Sequence, residues 1–180
     1  MTRPALLIID MQVGAFGRTP KDKLAALVAR LNGLADRVRK KDGVVVFVQH
    51  DGPAGDPDFH PSRPGWHILP ELDRRPSDRL IHKTSCDSFL HTELDGVLKT
   101  EGVDRLVVTG CATDYCVDTT VRSALGRGYQ TIVPSDGHMP AVDRPHLTAA
   151  QIIAHHNAIW ADFLSPAGAA TVCPAADVFT

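Results

Sequence analysis

Three residues in this chain have the types needed for covalent chemistry together. They are a carboxylate, Asp10, in LLIIDMQ; an ammonium, Lys83, in IHKTSCDSF; and a thiol, Cys116, in VVTGCATDYCVDTT. A cysteine attacks as its thiolate, and a reference pKa near ~8.5 leaves only a few per cent ionised at neutral pH. A helix N-terminus or a neighbouring ammonium would favour the anion. A carboxylate could take the thiol proton and later return it to a leaving amine. The Gly110–Cys116 segment offers backbone N–H groups that could face a developing oxyanion. Singly, each residue also has a plainer role: Asp10 as a cap at a strand end, Lys83 as a solvated loop lysine, Cys116 as a small buried hydrophobe.

Whether the three meet depends on the elements that carry them. Ala5–Ile9 and Val44–Val48 are short, continuous apolar runs, the pattern of strands buried on both faces. Between them Leu24, Leu27, Val28, Leu31, Leu34 and Val38 recur at helical spacing. Thr19-Pro20 predicts the start of that helix and Gly43 its stop. Residues 51–76 are rich in Gly, Pro, Asp and His and read as a long loop. Further strands are predicted at Arg79–His82, Leu106–Val108, Thr131–Val133 and Ala170–Val172. Helices are predicted from Asp87 or Ser88 to Gly102, over Val117–Leu125, and over Leu147–Leu164. The alternation predicts one α/β domain over residues 1–180, a three-layer α/β/α Rossmann-like sandwich with a six-stranded, mainly parallel sheet. Ligands bind such sheets outside the carboxyl ends of the strands. Asp10, Lys83 and the Gly110–Cys116 segment all fall at those ends.

Composition narrows the remaining possibilities. The chain has 180 residues, 43% hydrophobic and 22% charged, with a formal net charge of −2. That balance gives no long-range field toward nucleic acid or an anionic membrane, and neither is expected as a partner. The basic cluster RVRKK falls in the last turn of a predicted helix, where cations suit the dipole. The N-terminal apolar run is too short for a membrane span. Four scattered cysteines without a CxxC pair are expected to be reduced thiols in a cytoplasmic protein.

LIIDMQ, IHKTSCDSF and VVTGCATDYCVDTTVRSA, in that order, resemble the isochorismatase-like cysteine hydrolases, a group that includes nicotinamidases and N-carbamoylsarcosine amidohydrolase. The resemblance runs from Ala5 to about Val172, and GCATDYC is its most specific part. It implies a catalytic Asp10–Lys83–Cys116 triad, a cis peptide bond between Cys111 and Ala112, and an oxyanion hole made by the N–H groups of Ala112 and Cys116. It also implies that Gln12, Phe16, Trp66 and Tyr115 line the substrate pocket, and that the chain assembles as a homodimer or higher homo-oligomer. Relatives acting on isochorismate's vinyl ether lack the cysteine. Cys116 therefore implies hydrolysis of a small-molecule amide or ureide C–N bond through a thioester, with water as co-substrate.

The match has departures. Nicotinamidases place Asp-x-His directly after the second strand to hold a metal, whereas this chain has His50-Asp51 there, and its Asp58-Phe59-His60 lies well into the loop. No metal and no cofactor are expected. His155, His156 and Asn157 are expected at a helix or subunit contact, and Asp136-Gly137-His138 no closer than behind the pocket wall. A phosphoacceptor receiver would need its lysine after its threonine, and a dinucleotide module would need GxGxxG, which is missing. A non-catalytic ligand-binding or interaction protein on the same fold is the alternative that the sequence leaves open.

Overall fold

The computed structural model describes residues 3–179. Six strands form one parallel sheet: β1 Arg3–Ile9, β2 Val44–His50, β3 Arg79–Lys83, β4 Val103–Gly110, β5 Gln130–Pro134 and β6 Thr171–Cys173. Their spatial order is β3-β2-β1-β4-β5-β6. Four α-helices join them: α1 Lys21–Lys40, α2 Leu94–Thr100, α3 Asp118–Gly126 and α4 Ala149–Ala161.

Alternation along the strands builds two cores. Ala5, Leu7 and Ile9 face α2, α3 and α4 through Leu94, Leu98, Val121, Leu125 and Trp160. Leu6 and Ile8 face α1 through Leu27, Leu31, Leu34 and Val38. Every one of these side chains is at most 3% exposed, and burying each large aliphatic one contributes roughly 1.5–3 kcal/mol. No helix among the described residues is long and apolar enough to cross a membrane.

The strands and α1 fall where their patterns predict, but several ends differ for local reasons. Thr19 does not cap α1. Pro20 takes the cap position, and the Thr19 hydroxyl donates instead to Ala141 O at 2.8 Å. The turn after α1 is made by Asp42, at φ 55°, rather than by Gly43. Gly43 is required for another reason: a Cβ there would stand 2.6 Å from Pro4 O. The second helix begins at Leu94 and not near Asp87, because residues 87–93 are committed elsewhere. Asp87 accepts from Phe89 N and from the Ser123 hydroxyl, and Ser88 bonds Thr120. α4 starts behind a Thr148–Gln151 capping box, two residues later than expected.

Chain order reverses between β1 and β4, the switch point where an open parallel sheet leaves a crevice. Here the ends of two strands press together: a Cβ on Gly110, at φ 118°, would lie 2.1 Å from Ile9 O. Only glycine fits that contact. It brings the segment after β4 directly against Asp10.

Candidate active site

Asp10 leaves β1 in a left-handed conformation, φ 49°, uncommon for a residue with a side chain. Its N–H donates to Val48 O and its carbonyl accepts from Gln12 N, so the conformation is held from both sides. Backbone outliers held in this way concentrate at functional sites. Lys83 is the last residue of β3, two strands away in the sheet, and its side chain is fully buried. Cys116 lies in a single π-helical turn, Thr113–Val117, between β4 and α3. Such turns recur where a helix serves a site.

The three side chains meet. Lys83 Nζ donates to Asp10 Oδ2 at 2.7 Å, to Ser85 O at 2.9 Å and to Cys116 Sγ at 3.3 Å. An ammonium has three protons, and each has an acceptor. Asp10 Oδ1 is buried without a nitrogen or oxygen partner. Cys116 nonetheless acts on the carboxyl's ionisation, favouring the charged form.

Electrostatics set the resting state. Burial pushes the Asp10 carboxyl above its ordinary range, and Lys83 only partly offsets this. Burial alone would depress Lys83, but the Asp10 carboxylate and then the sulfur more than compensate and hold it above the usual lysine value. Cys116 is raised by burial and then by the negative Asp10, against the pull of Lys83. The helix N-terminus and the ammonium, expected to favour the anion, are outweighed by burial and by Asp10, and the thiol is held above its ordinary range. Cys111, fully buried, is raised in the same direction by its own desolvation.

Asp10 and Cys116 open onto a cavity of about 660 Å³, lined also by His50, Phe59, Cys111, Ala112, Tyr115 and Arg144 among others. The Cys111–Ala112 peptide bond is cis. The Ala112 carbonyl is occupied by the N–H groups of Tyr115 and Val117, while its own N–H has no acceptor among the described residues. Tyr115 stands on the wall with the Arg144 guanidinium 4.9 Å from its ring centre, and Arg144 is fixed by two hydrogen bonds to Asp114. Among the described residues no three His, Cys, Asp or Glu side chains are grouped so as to hold a metal ion.

Three residues expected on the wall stand elsewhere. Gln12 is fully buried, and its amide crosslinks backbone: Nε2 donates to His50 O and Trp66 O, and Oε1 accepts from His50 N. Phe16 packs into the core beneath α1, leaving its neighbours Ala15 and Gly17 to line the cavity. Trp66 turns away, its indole N–H on Asp51 at 2.7 Å and its ring stacked on His82. The wall is made instead by Ala15, Gly17 and Arg18 beside Phe16, by His50 and Phe59, and by Ala141, Val142 and Arg144 from much farther along the chain. Nothing in the periodicity of those segments announces a pocket.

The site can be compared with known proteins. The isochorismatase domain profile matches residues 4–162. The chain belongs to the isochorismatase family. A streptothricin hydrolase of Streptomyces noursei is 34% identical over 135 residues, 74% of this chain and 49% of that protein. The chain thus spans about half the length of such curated relatives. YwoC of Bacillus subtilis, an uncharacterized isochorismatase family protein, is 31% identical over 84% of this chain and 85% of its own length. A crystal structure of an isochorismatase family protein superposes with a TM-score of 0.83 at 34% identity, covering 94% of this chain and 96% of that one. The family fold is therefore the fold described above.

Proposed function

We propose that this protein is a cysteine-dependent hydrolase of a small-molecule amide or ureide, cleaving a C–N bond through a thioester. The observation that carries this reading is the Lys83 ammonium, buried and in contact with both the Asp10 carboxylate and the Cys116 sulfur, which line the cavity. Moving the thiol proton to Asp10 shifts negative charge from one contact of that ammonium to another, with no change in net charge and no movement of the lysine. A protonated resting thiol is then no obstacle, because the nucleophile forms as it attacks. The similarity to a streptothricin hydrolase also favours hydrolysis.

In the proposed cycle Asp10 takes the Cys116 proton and Sγ bonds to the substrate carbonyl carbon. The oxygen gains the electron pair of the broken π bond and lies toward the N–H groups of Ala112 and Cys116. Collapse breaks the C–N bond, and the amine leaves with the proton from Asp10. Water, deprotonated by Asp10, then attacks the thioester. The product leaves as an acid, or as a carbamate if the substrate is a ureide, and the sulfur regains its proton. Tyr115 and the Asp114-tethered Arg144 form the wall that substrate passes.

The test is a panel of primary amides and ureides assayed with wild type, Cys116→Ala and Cys116→Ser, with acyl-enzyme trapped by acid quench and mass spectrometry. Loss of at least ~10³-fold in turnover, with an acyl adduct on Cys116 in wild type, is expected. Turnover retained in Cys116→Ala would remove the nucleophile from the mechanism. Ligand binding without turnover of any panel member would favour the non-catalytic alternative.

A further inference from the structure

The π turn that carries Cys116 is held at both ends by polar contacts, centred on the buried His138 and Trp160, that the catalytic cycle does not use. At its front, Thr113 N donates to Met139 O at 3.2 Å, and Met139 N donates to Gly110 O at 3.1 Å. The Thr113 hydroxyl meets His138 Nδ1 at 2.9 Å, and His138 Nε2 meets Asn157 Oδ1 at 3.0 Å. Asn157 Nδ2 in turn donates to Ser135 O at 3.0 Å. Behind the turn, Trp160, one helical turn along α4 from Asn157, donates its indole N–H to Asp118 Oδ1 at 2.8 Å. The His138 ring packs edge-on to Trp160, 5.1 Å between centres, and is only 2% exposed.

The partners fix the imidazole's protons. Asn157 presents its oxygen, so Nε2 carries the hydrogen; Nδ1 is then an acceptor, and the Thr113 hydroxyl donates to it. The chain of hydrogen bonds runs one way, from Thr113 through His138 and Asn157 to the β5 end, and is complete with a neutral ring. Burial, the main cause, lowers His138 to about 4, which keeps the ring neutral under ordinary conditions. The titratable groups acting on it are His156 on α4 and Asp136 after β5.

We propose that His138 and Asn157 are positioning residues that hold Thr113, and through it the adjacent Ala112 N–H, in the geometry that receives the oxyanion. The proposal rests on the hydrolase reading and adds to it a polar tether from α4 to the oxyanion segment. Thr113 is the residue directly after Ala112, so a hydroxyl pinned at 2.9 Å limits how far the preceding peptide can rotate. A misplacement of about 1 Å at such a donor is enough for a large rate loss.

A small aldehyde reads that geometry without a known substrate. Butyraldehyde adds the Cys116 sulfur to its carbonyl carbon, the C=O π bond breaks, and the thiol proton ends on the oxygen, which occupies the oxyanion position of the resulting hemithioacetal. Its affinity is measured as protection of Cys116 from iodoacetamide. His138→Gln, which keeps the bond to Asn157 and loses Nδ1, and Thr113→Val are expected to weaken aldehyde binding on the order of tenfold or more. Their Cys116 alkylation rates without aldehyde should stay close to wild type, and Thr113→Ser should restore the affinity. Asn157→Asp gives a second readout if either variant does not fold. A carboxylate facing Nε2 favours the imidazolium, whose Nδ1–H points at the Thr113 hydroxyl, so aldehyde affinity should fall at a higher pH than in wild type. Undiminished affinity in the folded variants, with no such pH shift in Asn157→Asp, overturns the proposal alone. Absence of aldehyde protection in wild type overturns it together with the hydrolase reading.

Discussion

Lys83→Met isolates the ion pair at the centre of the site. Methionine keeps most of the buried apolar stem and removes the charge, so the perturbation is mainly electrostatic. At 2.7 Å and an effective dielectric near 20, the direct Asp10–Lys83 attraction is about 6 kcal/mol before desolvation. Removing one partner of a buried pair typically costs ~3–5 kcal/mol, because the other charge stays behind unpaired. The pH dependence gives the stricter test. Lys83 is held above its ordinary value, so the stability its charge brings is full below the unfolded pKa, near ~10.4, and is lost as pH rises through the folded one. Asp10 is also raised, burial being the main cause, so its ionisation weakens the fold as pH climbs from ~3.9 through its folded pKa. Without Lys83 that carboxyl loses its lowering partner and rises further, so acid should stabilise the variant relative to wild type. Urea unfolding at pH 7 and pH 5 reads both effects from the midpoint at constant m. A loss below ~1 kcal/mol at pH 7, or a deficit that does not shrink at pH 5, would refute the buried-pair account.

Three further outcomes follow from the geometry. Turnover should show an acid limb above the ordinary carboxylate range, because Asp10 must be ionised to accept the thiol proton and burial raises it. Asp10→Asn should abolish activity rather than shift that limb, and a kcat–pH profile decides. Gly110→Ala forces a Cβ to within 2.1 Å of Ile9 O, and should cost ~4 kcal/mol or more, seen as insoluble protein or a collapsed melting temperature. Trp66→Phe should leave kcat and KM near wild type and cost ~1 kcal/mol in urea unfolding. Its lost hydrogen bond goes to Asp51, outside the cavity; a KM change of tenfold would return Trp66 to the pocket wall.

The sequence by itself determined what local chemistry determines. Runs such as ALLII and VVVFV can only be satisfied as strands covered on both faces, and the spacing from Leu24 to Val38 can only bury one side of a helix. Their alternation dictates a parallel sheet, and with it the edge where Asp10, Lys83 and Cys116 stand. Even the GCATDYC segment is local, one strand end turning into one helix. Element ends were less legible, because side chains such as Thr19, Asp87 and Ser88 are claimed by partners far along the chain. Tertiary structure alone decided the rest. Gln12 and Trp66 have residue types suited to a pocket, but their orientation depends on which carbonyls and carboxylates long-range packing brings near. The ionisation of Cys116 is a balance of burial, Asp10 and Lys83 that exists only once three strand ends converge. The tether from α4 through Asn157 and His138 to Thr113 likewise joins residues 19 and 25 positions apart. No spacing rule links them, because only the packing of α4 on the sheet makes them neighbours.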